Sequence, residues 1–201
     1  LESLIWEDFS AYHGTTSEHL TSIINEGLEK SDYEFSSTQV ELPKSISKKV
    51  LDAVERLVDV NDLHLTKKQD DVPHITIRYG LEIDSSDTIR NFIDNVCILN
   101  TTILTVDIFK NKDTDYEVLV LLVDSPELHE LNSKLGRLPN QSDFPFYRPH
   151  ITLCYLKKGT GVKYSNLVTG LEGLSLKFDK VVFSPSNDKD IEIDLKKSRV
   201  K

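Results

Sequence analysis

The sequence has no methionine, only two cysteines, no apolar run near the ~20 residues of a membrane span and no surplus of basic side chains. Each absence narrows what the chain is. Lacking methionine and beginning at Leu1-Glu2, it does not start at a native start codon and reads as a segment of a longer polypeptide, or a processed one. Cys97 and Cys154 stand far apart, which argues against a disulfide framework and for reduced thiols. No Cys/His spacing suits a metal, so neither metal nor cofactor is expected. The N-terminus lacks the basic-then-apolar layout of a secretory signal, and no membrane association is expected. Acidic residues number 33 against 24 basic ones, for a net charge of −9. That balance argues against a grip on long nucleic acid and leaves room for a small nucleotide in a locally positive pocket.

What is present suits a globular chain: 38% hydrophobic and 28% charged residues over 201 positions. Residues 1–34 differ from the rest. Ala11 to Thr16 reads as a strand end and turn, with a helix from Ser17 to about Glu26 and Gly27 at its C-terminal cap. From Phe35 onward the pattern is regular. Strands are expected at Thr38–Leu42, His74–Tyr79, Thr102–Phe109, Tyr116–Val123, His150–Leu156, Ser175–Phe183 and Asp190–Leu195. Helices are expected at Ser47–Val58, Thr88–Val96, Pro126–Leu135 and, as a short one, Val162–Val168.

One string occurs twice: Pro73-His74-Ile75-Thr76 and Pro149-His150-Ile151-Thr152, 76 positions apart. Asp107 and Asp179, each between apolar residues and a lysine or isoleucine, are 72 apart. Each half reads as strand, helix, His-x-Thr strand, helix and hairpin. This order points to an internal duplication with two lobes about a pseudo-twofold axis. With six histidines and 14 threonines, chance alone gives about 0.4 His-x-Thr triplets.

In a strand, residues i and i+2 share a face. His74 therefore projects beside Thr76, and His150 beside Thr152. Two such pairs facing one another suit phosphodiester cleavage. One imidazole removes a proton from the attacking oxygen, and the other gives one to the leaving oxygen. The threonine hydroxyls can hold the non-bridging oxygens.

These paired motifs resemble the His-hydrophobic-Thr-hydrophobic signature of the two-histidine (2H) phosphoesterase superfamily, over residues 35–201. That superfamily includes RNA ligase-like and cyclic phosphodiesterases, viral 2′,5′-oligoadenylate phosphodiesterases and phage anti-CBASS enzymes. The resemblance implies an α+β fold of two lobes, with two antiparallel sheets facing a central cleft and helices outside. It implies His74 and His150 as the catalytic pair, Thr76 and Thr152 as phosphate binders, and a cytoplasmic site of action (the host's, if the source is viral). Which histidine is the base stays open. The substrate class is a 2′,3′-cyclic phosphate, a 2′,5′-linked oligoadenylate or a cyclic oligonucleotide signal. The alternative is a module that binds a nucleotide without turning it over, or a structural domain of a larger protein.

Further candidates lie nearby. Arg78, two residues beyond Thr76, shares its face under strict alternation. Phe146, Tyr147 and Arg148 precede the second histidine and suit base stacking and phosphate contact. Tyr79 and Tyr155 each follow their histidine by five, so alternation turns both away from the site. A bulge would turn either inward, and Tyr155 is kept among the base-binding candidates. His64 and His129 read as solvated or capping. A second resemblance is confined to Tyr12-His13-Gly14-Thr15, which is similar to the opening turn of ADP-ribosyltransferase-type folds. The later strands and catalytic acid of that fold have no counterpart here, so residues 1–34 read as an extension or linker.

Overall fold

The computed structural model describes residues 34–64, 72–141, 146–186 and 189–196. The N-terminal turn and helix, and the ADP-ribosyltransferase-like string, lie outside the described residues. Strand β1 (Ser36–Glu41) leads into helix α1 (Lys44–Leu57), which buries Val50, Ala53 and Val54. This helix begins three residues ahead of the sequence expectation, because Pro43 takes the N-cap and its carbonyl accepts from the N–H groups of Ile46 and Ser47 at 2.8 and 2.9 Å. Then come β2 (His74–Leu81), α2 (Ser86–Ile93), β3 (Leu99–Lys110) and β4 (Tyr116–Asp124). Ser85 caps α2 through the N–H of Thr88, and Ser125 caps α3 (Pro126–Leu135) through that of Leu128. Strands β5 (His150–Lys157), β6 (Ser175–Phe178), β7 (Lys180–Ser184) and β8 (Ile191–Asp194) complete the fold.

The strands form two four-stranded antiparallel sheets, ordered β2-β1-β7-β8 and β5-β4-β3-β6. This is the expected α+β arrangement of two sheets, with one difference in how the lobes are wired. The third strand of each sheet comes from the other half of the sequence: β3 joins the sheet of the second histidine, and β7 that of the first. The helices cross over as well. Helix α1 packs near β5, and α3 near β2. One apolar cluster, running from Val40 through Ile75, Leu119 and Ile151 to Leu195, fills the space behind both sheets. Burial of each such aliphatic side chain stabilises the fold by about 1.5–3 kcal/mol.

Two expected elements differ. Ser175–Phe183 is not one strand, because β6 pairs with β3 in one sheet and β7 with β1 in the other. The break is at Asp179, whose carbonyl accepts from the N–H of Leu195 at 2.7 Å. The burial alternation slips phase there, from Leu176 and Phe178 to Val181 and Phe183. Val162–Val168 is only a single tight turn, Gly161–Tyr164. Val162 and Val168 point into solvent, and only Tyr164 and Leu167 between them reach the core, too few to hold a longer helix down.

The pseudo-symmetry extends to the loops. The N–H groups of Leu42 and Val123 donate to the carbonyls of Pro73 and Pro149, the residues before the two histidines, at 3.0 and 2.9 Å. Beyond each motif the outer edge of the strand is capped by the segment following the opposite helix. The N–H of His64 donates to Tyr155 on β5, and that of Gln141 donates to Gly80 on β2. The 72-residue aspartate repeat does not survive. Asp107 lies two strands from Thr152 by way of Val120, and the corresponding place across from Thr76 by way of Gln39 is Val182, not Asp179.

Candidate active site

Strands β2 and β5 are the edge strands of their sheets, and they approach one another. Each carries its His and Thr on the face away from the shared core. Ile75 and Ile151, between them, are fully buried. His74 pairs with Glu41 and Thr76 with Gln39; His150 pairs with Leu122 and Thr152 with Val120.

Immediately beyond each threonine the register slips by one residue. On β2 the pairing passes from Gln39–Thr76 to Thr38–Arg78; on β5 it passes from Val120–Thr152 to Leu119–Cys154. Each slip is a β-bulge that places two successive residues on the core side. Leu153 and Cys154 are both buried accordingly, and burial pushes the Cys154 thiol up to about 12. On β5 every residue past the bulge changes face, whereas on β2 a second slip between Arg78 and Leu81 confines the change to Arg78 and Tyr79. Tyr155 stands opposite Val118, on the same face as Val120 and Thr152, and its ring meets that of Tyr116 at 5.4 Å. Tyr79 is turned likewise and packs edge-on against Phe35 at 6.4 Å.

The same slip corrects the expectation for Arg78. It is paired with buried Thr38 and turned toward α3 rather than toward Thr76. Its guanidinium donates to Asn140 and lies against Gly136, where an added Cβ would come within 3.5 Å of it. Asn140 in turn donates to the carbonyls of Gly136 and Leu138. Arg78 therefore braces the end of α3.

The two imidazoles are oriented by the same local bond. His74 Nδ1 lies 3.2 Å from the carbonyl of Val72, and His150 Nδ1 lies 2.7 Å from that of Arg148. A carbonyl can only accept, so Nδ1 carries the proton in both rings and Nε2 is the reactive nitrogen. His150 has its pKa lowered to about 4, chiefly by burial and further by the charges of His74 and Arg148, against the opposing pull of the Arg148 carbonyl. The strands that begin with the two rings, β2 and β5, contact one another, which sets the imidazoles on neighbouring edges. The hydroxyls of Thr76 and Thr152 have no hydrogen-bond partner among the described residues.

The residues leading into β5 divide in role. Tyr147 spends its hydroxyl on the carbonyl of Thr76 at 2.8 Å. Arg148 bonds Asp107 at 2.5 Å and lies over the ring of Phe109, 4.8 Å from its centroid. Phe146 is 68% exposed. His64 and His129 stand at 3.2 Å from Asp115 and beside the Tyr147 ring respectively. Sequence reasoning missed Asp107 and Phe109 as neighbours of His150, since a strand exchanged between halves brings them there. It also set Tyr79 aside, because no residue preference announces the bulge. Among the described residues, no group of three or more His, Cys, Asp or Glu is placed to hold a metal ion, and no helix is long and apolar enough to cross a membrane.

Paired His-x-Thr edge strands on two antiparallel sheets with helices outside define the 2H phosphoesterase fold. Known structures share it. Usb1 of Kluyveromyces marxianus is similar with a TM-score of 0.52 at 11% identity, over 80% of this chain and 98% of that one. TT0787 of Thermus thermophilus is similar with a TM-score of 0.54 at 15% identity, over 82% and 100%. A comparison with curated protein sequences returned no match. A family model described as anti-CBASS protein Acb1 matches residues 42–190, and the chain belongs to that family. Fold and family together support a phosphodiesterase.

Proposed function

We propose that the chain hydrolyses a phosphodiester bond in a small cyclic oligonucleotide signal, by metal-independent acid–base catalysis between His150 and His74. The observation that carries this reading is the matched orientation of the two rings by i−2 carbonyls on neighbouring edge strands, with His150 held neutral at pH 7. His150 Nε2 takes the proton of the attacking water or hydroxyl as its oxygen bonds phosphorus. His74 gives a proton to the oxygen that leaves. The hydroxyls of Thr76 and Thr152 donate to the non-bridging oxygens, and Arg148, whose guanidinium shares the Phe109 ring with His150, balances phosphate charge. Tyr155, Tyr79 and Phe146 offer aromatic faces for the bases.

The family description, anti-CBASS, favours an immune nucleotide signal over a terminal RNA phosphate. A structure of Kluyveromyces marxianus Usb1 with uridine monophosphate, at TM-score 0.52 and 10% identity, is in keeping with a nucleotide in such a cleft. The net charge of −9 favours a short substrate over long RNA. The site of action we infer is the cytoplasm, the host's if the source is viral.

The test is a panel of cyclic dinucleotides and trinucleotides, 2′,5′-oligoadenylate and 2′,3′-cyclic nucleotides, incubated with the protein in EDTA and resolved by chromatography. Cyclic oligonucleotides are expected to be opened fastest. Binding of any member without turnover would assign the chain to the nucleotide-holding alternative.

A further inference from the structure

We propose that Asp107 is a positioning residue for His150, acting through Arg148 and Phe109. The inference rests on reading His150 as a reacting group. Asp107 lies on β3, two strands from Thr152, on the face that carries His150. Its carboxylate is fixed twice. One oxygen accepts from the N–H of Ile108 at 2.8 Å, and the other from Arg148 Nη2 at 2.5 Å.

The guanidinium held in this way covers Phe109. That ring also meets the imidazole of His150, at 4.8 Å and 68° between planes. The contact requires a strongly curled sheet. Phe109 pairs with Val118 and His150 with Leu122, which in a flat sheet would separate them by about 13 Å along the strand. Arg148 also supplies the carbonyl that fixes Nδ1 of His150. It therefore constrains the imidazole from two sides, by its main chain directly and by its side chain through Phe109. The Asp107 carboxylate anchors the side-chain arm.

The first half carries no counterpart of this ion pair. The residue two before His74 is Val72, and the place matching Asp107 is Val182. The His74–carbonyl contact is correspondingly longer, 3.2 Å against 2.7 Å. An arginine and an aspartate stand at the positions around one imidazole where two valines stand around the other. Such a clamp belongs on the ring that must keep one tautomer, with its Nε2 lone pair aimed at a proton to be removed.

The test combines ring ¹⁵N NMR of His150 with steady-state kinetics on Asp107→Asn, Asp107→Glu, Arg148→Met and the Asp107→Asn/Arg148→Met double variant. Asp107→Asn keeps shape at a half-exposed site, so it is expected to fold, with thermal melting as the check. It should move His150 from a single Nδ1–H tautomer to a mixture. It should also lower kcat by roughly 10- to 100-fold, the scale of displacing a reacting group by about an ångström, with a smaller change in KM. Asp107→Glu should recover part of both. In the Arg148→Met background Asp107→Asn should add nothing. Unchanged His150 ring signals in Asp107→Asn, or losses that simply multiply in the double variant, would overturn the proposal. If the native chain turns over no substrate, the reading of His150 as a reacting group fails, and the ring spectra alone still decide whether Asp107 positions it.

Discussion

The hydroxyl of Tyr147 donates to the main-chain carbonyl of Thr76 at 2.8 Å, tying the segment that enters β5 to the strand of the first histidine. Thr76 lies on an edge strand, so its carbonyl is available to this hydroxyl from the other half of the molecule. The bond couples the spacing of the two His-x-Thr pairs to a single side chain. Tyr147→Phe is expected to lower stability by about 1 kcal/mol and to reduce kcat more than it raises KM, because alignment rather than binding is disturbed. Thermal melting and steady-state kinetics together check this; an unchanged kcat would mean the tie is structural only.

His150 makes stability depend on pH in a defined direction. Its folded pKa is about 4, below the ordinary histidine value, because burial and neighbouring positive charge disfavour the imidazolium. Between the two values the unfolded chain binds the extra proton and the folded chain does not. Stability is therefore whole above the unfolded value and falls as pH drops toward 4. Over that interval the native protein should lose roughly 3 kcal/mol more than His150→Gln. Urea unfolding of both at pH 7 and pH 4 measures the difference; parallel losses would contradict it. The acid limb of kcat/KM should likewise lie well below pH 6.

The two inward-turned tyrosines give a prediction about affinity. If they stack on bases, Tyr155→Ala and Tyr79→Ala each raise KM by a factor corresponding to about 1–3 kcal/mol, while Tyr→Phe leaves it nearly unchanged. A phenylalanine variant as defective as the alanine one would point to the hydroxyl instead of the ring face.

Arg78 gives the converse. Because it braces Asn140 and the end of α3, Arg78→Met should cost about 1–3 kcal/mol in stability and leave KM within about twofold. A large rise in KM with an unchanged melting temperature would return Arg78 to the substrate.

Much of the site is legible in the amino-acid order itself. Pro-His-Ile-Thr, repeated on strand-like runs, locates both imidazoles, both hydroxyls and the two-sheet class. The residues that escape do so for two physical reasons. Bulges are backbone events that no side chain in Ile77-Arg78 or Leu153-Cys154 requires, and one inserted residue reverses the face of everything after it. Arg78 and Tyr79 consequently exchange roles. The second reason is long-range pairing. Asp107 and Phe109 belong to the first half of the sequence but lie beside the second histidine, and a periodicity read along the chain carries no information on which sheet a strand joins. The phase slip at Asp179 is visible in Phe178 and Val181, yet only the exchange of strands gives it meaning.

Paired catalysis by the two imidazoles is measured most directly by turnover of His74→Ala, His150→Ala and the double variant, on whichever cyclic oligonucleotide the native chain opens, in EDTA. Paired acid–base work predicts that each single change lowers kcat by about 10²–10⁴-fold and that the double variant is scarcely worse than the more damaged single. A single variant that keeps native turnover would contradict the account.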